Sequence, residues 1–401
     1  MLFLYIILAI VILLLMIVIH EFGHYLAGKI LKFKINEFSV GFGPKIFSKK
    51  KKNGEVFSLR LIPLGGYCAF EGEIASGEDI LAPGKDKTDG GKKDALPEAS
   101  PQQASDSAAA YPTAAEQTGA PVTAGGRSFL EEKPWKRIIV LLSGGVANLL
   151  SAIVFSLIFI WAIGFTVPTV SKVYTDADGV AFNPLEEGDV VRAVNGREIG
   201  VMNSYDDLIA DVEENDSVTL TVERGGELLT VNVTKKHIVT ETVNEETGEP
   251  ETLDYVGFGY ASLYDFEDVG LGYALKYCVP YMFKLSWLIL GTFGDLVVGK
   301  IPITDLAGPA GTIALMADLA KANWRNILIL LPLIASNLGI FNLLPIPALD
   351  GSKVVFTAIE WIRGKPINQK VENTIHTVGI ILLLAFVVVL DLWRFIAPLF
   401  G

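Results

Sequence analysis

Cysteine is nearly absent, with only Cys68 and Cys278 in 401 residues. They lie far apart in sequence, which excludes a disulfide framework and a cysteine-based metal centre. Histidine is scarce as well, at four residues, so a metal site has to draw on those and on carboxylates. Basic residues are outnumbered, 33 Lys and Arg against 45 Asp and Glu, and the formal charge of −12 argues against nucleic acid as a partner. Met1 to Ile19 contains no charge, no Gly and no Pro. A cleaved signal peptide is not expected there, because the stretch has no basic start, runs too long and is not followed by a small-x-small cleavage site.

What is abundant is apolar surface. With 51% hydrophobic residues and a mean hydropathy of +0.43, the chain reads as a polytopic membrane protein with soluble parts. The first expected span, residues 1–28, ends in His20-Glu21-Phe22-Gly23-His24. Ionisable groups in a membrane helix are costly and are read first as functional. Four residues along a helix advance about 400°, so His20 and His24 share a face about 6 Å apart along the axis. That spacing suits two ligands of one tetrahedral zinc, with Glu21 beside them as general base.

Lysines follow this span and none precedes it, which places its histidine end at the cytosol by the positive-inside rule. Residues 29–72 alternate and are punctuated by glycine, as expected of β-hairpins lying against the membrane, whose edge suits an extended peptide. Residues 73–130 are rich in Ala, Gly, Pro, Ser and Asp and read as a disordered insertion without a catalytic role. A second span is expected at 137–165, with Gly144, Gly145, Ala147 and Asn148 forming a small-residue face. An acidic soluble unit, 166–263, then lies outside the cytosol. Its Arg224-Gly225-Gly226 marks a hairpin. The apolar segment 270–311 is interrupted by Lys276, Pro280, Lys284 and Asp295; a fifth span is open, and an interfacial or re-entrant placement is preferred. A third span, 326–351, ends in Asn342-Leu-Leu-Pro345-Ile-Pro347-Ala-Leu-Asp350-Gly351; a cytosolic loop, 352–371, and a last span, 372–398, follow. His237 and His376 read as bystanders.

Asp350 therefore falls at about the depth of the histidine pair. It would complete a His₂-carboxylate site with one position open; the alternative is a turn residue before Gly351.

Taken with Val40-Gly-Phe-Gly-Pro44, Pro63-Leu-Gly-Gly-Tyr67, Gly145-Val-Ala-Asn148, Gly308-Pro309-Ala-Gly311 and Ser336-Asn337-Leu338-Gly339, these motifs resemble the bacterial site-2 protease family of intramembrane zinc metalloproteases. The resemblance implies a polytopic α-helical membrane protein of about four transmembrane helices, with membrane-associated β-hairpins and one extracytoplasmic PDZ-like α/β domain. It implies one Zn²⁺ on His20, His24 and Asp350, and Glu21 as catalytic base. Asn148 and Asn342 would line the active site, and the strands carrying Gly43, Gly65 and Gly66 would contact the unwound substrate. The partners expected are a transmembrane protein substrate in a bacterial cell membrane, the lipid bilayer, and a peptide or ectodomain at the PDZ-like domain. The substrates implied are single-pass proteins already shortened outside, such as anti-sigma factors or remnant signal peptides. Two rivals stand beside this reading. One is an inactive PDZ-bearing adaptor with a structural metal, against which the intact Glu21 argues. The other is a metal transporter, which would spread polar groups through the full membrane depth.

Overall fold

In the computed structural model, the residues described are 2–73, 128–176, 178–243, 250–303, 306, 308–323 and 325–396. Most of the expected insertion lies outside them. Its last residues do not: Phe129–Glu131 form a 3₁₀ turn, and Phe129 is buried between Phe33 and Phe70.

Among the described residues, four helices are long and apolar enough to cross a membrane: α1 (Leu2–Ile30), α2 (Pro134–Ile163), α6 (Asn326–Leu343) and α8 (Gln369–Ile396). α1 is apolar on every side, which a helix at a water-facing surface is not. Leu4, Leu8, Val11 and Leu15 are exposed while Ala9, Ile12 and Met16 are buried against α2 and α6, so only one face meets protein. α2 begins on Pro134, where a missing N–H costs nothing, and stops at Gly164, whose φ of 79° a side chain would resist.

α4 (Leu271–Val297) is one continuous helix of 27 residues despite Pro280. Its start packs at the far end of α2, where Ala274 joins Phe159, Ile160 and Ile163. Its last turns reach α6 at Phe341, against which Phe293 packs edge to face. Lys284, one of the charges that interrupt its apolar pattern, is paired with Asp207 at 2.8 Å. α5 (Pro309–Ala322) fits between α1 and α6 through Met316 and Ala320, and Asp391 of α8 accepts from its first free N–H groups at Ala310 and Gly311. The stretch expected as a loop after the third span holds a further helix, α7 (Asp350–Arg363). Arg137 of α2 donates to Glu360 at 2.8 Å and ties α7 to the bundle, a partnership that a local reading of the sequence does not contain.

β1 (Ile35–Lys50) and β2 (Val56–Phe70) make a folded hairpin rather than a simple one. Lys45 to Lys50 run opposite Arg60 to Val56, and Glu37 to Val40 run opposite Ala69 to Gly66. Glu37 to Val40 also lie beside Val56 to Leu59, both numbers rising together, so β2 bends around β1 and pairs on both its sides. Arg60 holds the bend, donating to the Gly43 carbonyl at 2.8 Å, Ser39 Oγ at 3.0 Å, Glu37 at 3.1 Å and Tyr67 Oη at 2.6 Å.

The acidic unit after α2 is a sheet in the order β10-β3-β4-β6-β7, with β5 paired to β4. Its strands are β3 (Phe165–Val173), β4 (Val190–Val194), β5 (Arg197–Glu198), β6 (Ser217–Arg224), β7 (Glu227–Thr234) and β10 (Tyr260–Glu267). The expected hairpin is present, pairing Ser217 with Thr234 through to Arg224 with Glu227. α3 (Tyr205–Ile209) starts on a capping box between Ser204 and Asp207, and β8 (Lys236–Val243) pairs with β9 (Pro250–Gly257) as a separate ribbon. Alternation on β6 buries Leu220 and Val222, and a register shift between Val191 and Ala193 of β4 brings Val191 and Val194 to join them, with Val233 of β7, in one core. Each such side chain contributes about 1.5–3 kcal/mol on leaving water.

Candidate active site

The HEFGH stretch sits in the next-to-last turns of α1, and its geometry depends on how closely α2 approaches. A Cβ at Gly144 of α2 would overlap His24 Nε2 and lie 2.6 Å from His20 Cε1. Only glycine leaves room for both rings at that crossing. On the other chain segment, α6 ends at Leu343 and the Pro345–Pro347 stretch turns the backbone. Ala348 takes a φ of 85°, costly for a residue with a side chain, and Asp350 then opens α7. A Cβ at Gly351 would overlap the Leu344 carbonyl, so the residue after Asp350 has to be glycine for this turn to close.

The result is a triangle of ligand atoms. His20 Nε2 lies 3.0 Å and His24 Nε2 3.1 Å from Asp350 Oδ2, and the two nitrogens are 3.2 Å apart. Among the described residues this is the one group of His, Cys, Asp or Glu whose atoms converge closely enough to hold a metal ion. Its chemistry supports that use. His24 Nδ1 is 2.8 Å from the Val140 carbonyl, a contact that requires the N–H there and, in the neutral ring, leaves Nε2 as a bare lone pair. A lone pair facing a carboxylate oxygen at 3.1 Å is unfavourable unless a cation or a proton lies between. Ligand atoms on a tetrahedral zinc with bonds of about 2.0–2.1 Å sit about 3.3 Å apart, close to the triangle found. The donor set fits the metal.

His20, Glu21, His24, Asp350, Asn148, Asn342, Gly65 and Gly66 all border one cavity of about 760 Å³. Gly66 lies against Glu21, since a Cβ there would come 3.1 Å from its Cγ. Asn148 is fully buried; its Nδ2 lies 3.5 Å from His20 Nδ1 and its Oδ1 has no hydrogen-bond partner among the described residues. Asn342 donates to the Leu338 carbonyl at 2.9 Å. Gly43 is not among the residues that border the cavity; its carbonyl is held by Arg60 in the bend of the hairpin. His237 pairs with Asp254 in the ribbon, and His376 of α8 is buried beside Phe356 of α7, neither within the triangle.

Comparison with known proteins now bears on this geometry. The model of peptidase family M50 matches residues 8–386. The chain belongs to that family. The M50 peptidase is 29% identical to a Bacillus subtilis protein named regulator of sigma-W protease RasP, with 95% of each chain covered. It is 28% identical to the probable protease eep of Enterococcus faecalis, over 95% of this chain and 96% of the relative. A putative zinc metalloprotease of Fusobacterium nucleatum is 26% identical over 96% of this chain and 98% of its own. With its apolar helices, the chain is a bacterial membrane protein of this family.

Three participants in the M50 site escaped the sequence reading. Arg60, which shapes the hairpin, carries no motif signal. Val140 contributes a backbone carbonyl, which no side-chain pattern reveals. Lys353 follows Asp350 by three residues, borders the cavity and is paired with Glu73 at 3.0 Å. That i, i+3 spacing on α7 was the available clue.

Proposed function

We propose that this chain is an intramembrane protease that hydrolyses peptide bonds within the transmembrane segments of other membrane proteins. It is a zinc metalloendopeptidase, with His20, His24 and Asp350 as the ligands and Glu21 as the general base. One observation carries the reading: three metal-binding side chains from opposite ends of the sequence meet at the end of a bundle of membrane-length helices, beside a carboxylate and a cavity.

Zinc in such a site is a Lewis acid toward a carbonyl and makes water a nucleophile near neutral pH. The chain's own groups do the rest. Glu21 takes the proton of the attacking water and returns it to the leaving amine. A helical substrate hides its carbonyls in its own hydrogen bonds, so it must unwind before attack. The Gly66–Phe70 stretch of β2 borders the cavity, with β1 running along one of its sides. An extended substrate pairs there by main-chain hydrogen bonds, its scissile carbonyl brought past Gly66 toward Glu21. Asn342 borders the path, and Gly43 shapes the hairpin that offers the edge.

The histidine end faces the cytosol, as the lysines beyond α1 argue, and the β-rich unit lies outside as a PDZ-like domain that meets a peptide or filters by the size of an ectodomain. The substrates are single-pass proteins already shortened outside, of the anti-sigma or remnant signal-peptide type. The name of the Bacillus subtilis relative, which ties that protein to sigma-W, supports the first of these.

The test is Glu21→Gln in lipid with a transmembrane test substrate. Loss of the base is expected to lower the rate about 10²–10⁴-fold while the zinc content stays at wild-type level by elemental analysis. Cleavage at the wild-type rate would remove Glu21 from the chemistry.

A further inference from the structure

The two histidines of the triangle are not equally supported. His24 has its Nδ1 proton fixed by the Val140 carbonyl, and its other nitrogen is thereby committed to the ligand position. Among the described residues, no backbone carbonyl plays that role for His20. The polar group found beside its Nδ1 is the side-chain amide of Asn148, at 3.5 Å, on a residue with no exposed surface. With Nδ2 turned toward the ring, that contact is long and Asn148 Oδ1 is buried without a partner. A half-turn of the carboxamide exchanges the two atoms without moving a carbon. It puts an acceptor opposite Nδ1, where His20 needs one if Nε2 is to keep its lone pair for a metal.

The opposite orientation has the opposite consequence. An amide N–H donating to Nδ1 would force the ring proton onto Nε2, which lies 3.0 Å from Asp350 Oδ2. His20 would then be a donor to Asp350 and no ligand at all. The choice of amide orientation is therefore a choice of tautomer, and through it of whether the third metal bond exists.

We propose that Asn148 is the positioning residue for His20: its Oδ1 accepts the Nδ1 proton and so commits Nε2 to the metal, as the Val140 carbonyl does for His24. Asn148 acts through His20 and takes no part in the bond-breaking. The half-turn also places the amide NH₂ on a side chain that borders the cavity, where a substrate carbonyl is the natural acceptor. This assignment rests on the zinc reading above.

The experiment uses the full chain in detergent and measures zinc affinity by competition with a chelator. Leucine resembles asparagine in size and neither donates nor accepts, whereas aspartate keeps the shape and can only accept. Asn148→Leu is expected to weaken zinc binding about 10–100-fold, the usual cost of losing the partner behind a metal-bound histidine. Asn148→Asp is expected to stay within about threefold of wild type, since the acceptor is retained. Equal losses in both variants, each still folded by circular dichroism, would overturn the proposal, and so would an unchanged Asn148→Leu. If the buried carboxylate prevents folding, ring-¹⁵N spectra of the unaltered zinc-loaded enzyme decide the matter, which four histidines make tractable. A protonated Nδ1 and a metal-bound Nε2 on His20 support the assignment; a protonated Nε2 refutes it. Absence of zinc from the wild-type protein would instead refute the metal reading itself, so the two failures are distinguishable.

Discussion

The β-rich unit and the histidine end of the helix bundle are built on different principles. In the β-rich unit, Val191, Leu220, Val222 and Val233 are removed from water by strand alternation, and the stabilisation is spread over many interchangeable side chains. Between lipid-facing helices that driving force is lacking, and association relies on close packing of small residues and on polar contacts. Gly144 and Gly351 show the consequence, each lying where a single added carbon meets a ring or a carbonyl. The first region should tolerate substitution gradually and keep the site intact; the second should lose its chemistry at one methyl group.

The sharpest way to break this contrast is Gly144→Ala. The new methyl displaces at least one imidazole, and zinc affinity is expected to fall about 10–100-fold or more, measured by chelator competition. The melting of the β-rich unit, followed by limited proteolysis with temperature, should not change. The converse is Leu220→Ala, which opens a cavity in the sheet core. It is expected to cost that unit about 2–5 kcal/mol, with zinc content and cleavage of a short test substrate preserved. If Leu220→Ala emptied the metal site, the two regions would not be separable.

A smaller effect concerns an ion pair of the β-rich unit whose carboxylate is buried. Arg224 donates to both oxygens of Asp189 at 2.7 Å. Burial pushes the Asp189 carboxyl up, but the Arg224 bonds and the Glu186 N–H outweigh it and hold the group below its usual range. A depressed carboxylate contributes stability that is complete above its unfolded value, about 3.9, and is lost as pH falls through the lower folded value. The β-rich unit should therefore keep this contribution at neutral pH and lose it below about pH 4. Arg224→Met should remove it at every pH above that, at a cost of about 2–3 kcal/mol, under the range for fully buried pairs because Arg224 is partly exposed. Thermal melts at pH 7 and pH 3 check both; an equal difference between wild type and variant at the two values would show that the contribution does not depend on the Asp189 charge, and no difference at pH 7 that the pair contributes nothing.

The legibility of the chain follows the same division. α1, α2, α6 and α8 announce themselves as apolar runs, since lipid demands length and hydrophobicity of every residue at once. The Ser217–Thr234 hairpin is equally plain, because Gly225 and Gly226 mark the turn between two alternating strands. α4 was harder: Lys276, Lys284 and Pro280 interrupt its pattern, and only the folded chain shows Lys284 meeting Asp207. The hairpin was legible as strands, yet its bend around β1 and the clamp of Arg60 come from contacts between residues whose local sequence is ordinary.

The sequence by itself determined the helix pair spacing of His20 and His24, the carboxylate of Glu21 beside them, the carboxylate of Asp350 after a proline-broken helix, and the membrane in which they sit. Those are local properties: a period of about 3.6 residues, a run of apolar side chains, a turn that proline and glycine enforce. Tertiary structure decided that Asp350 reaches the histidines, that Gly144 leaves the space for them, and that Val140 and Asn148 stand behind their other nitrogens. Each of these is a contact between segments far apart in the chain, fixed by how closely helices approach, and no pattern within one segment encodes a distance to another.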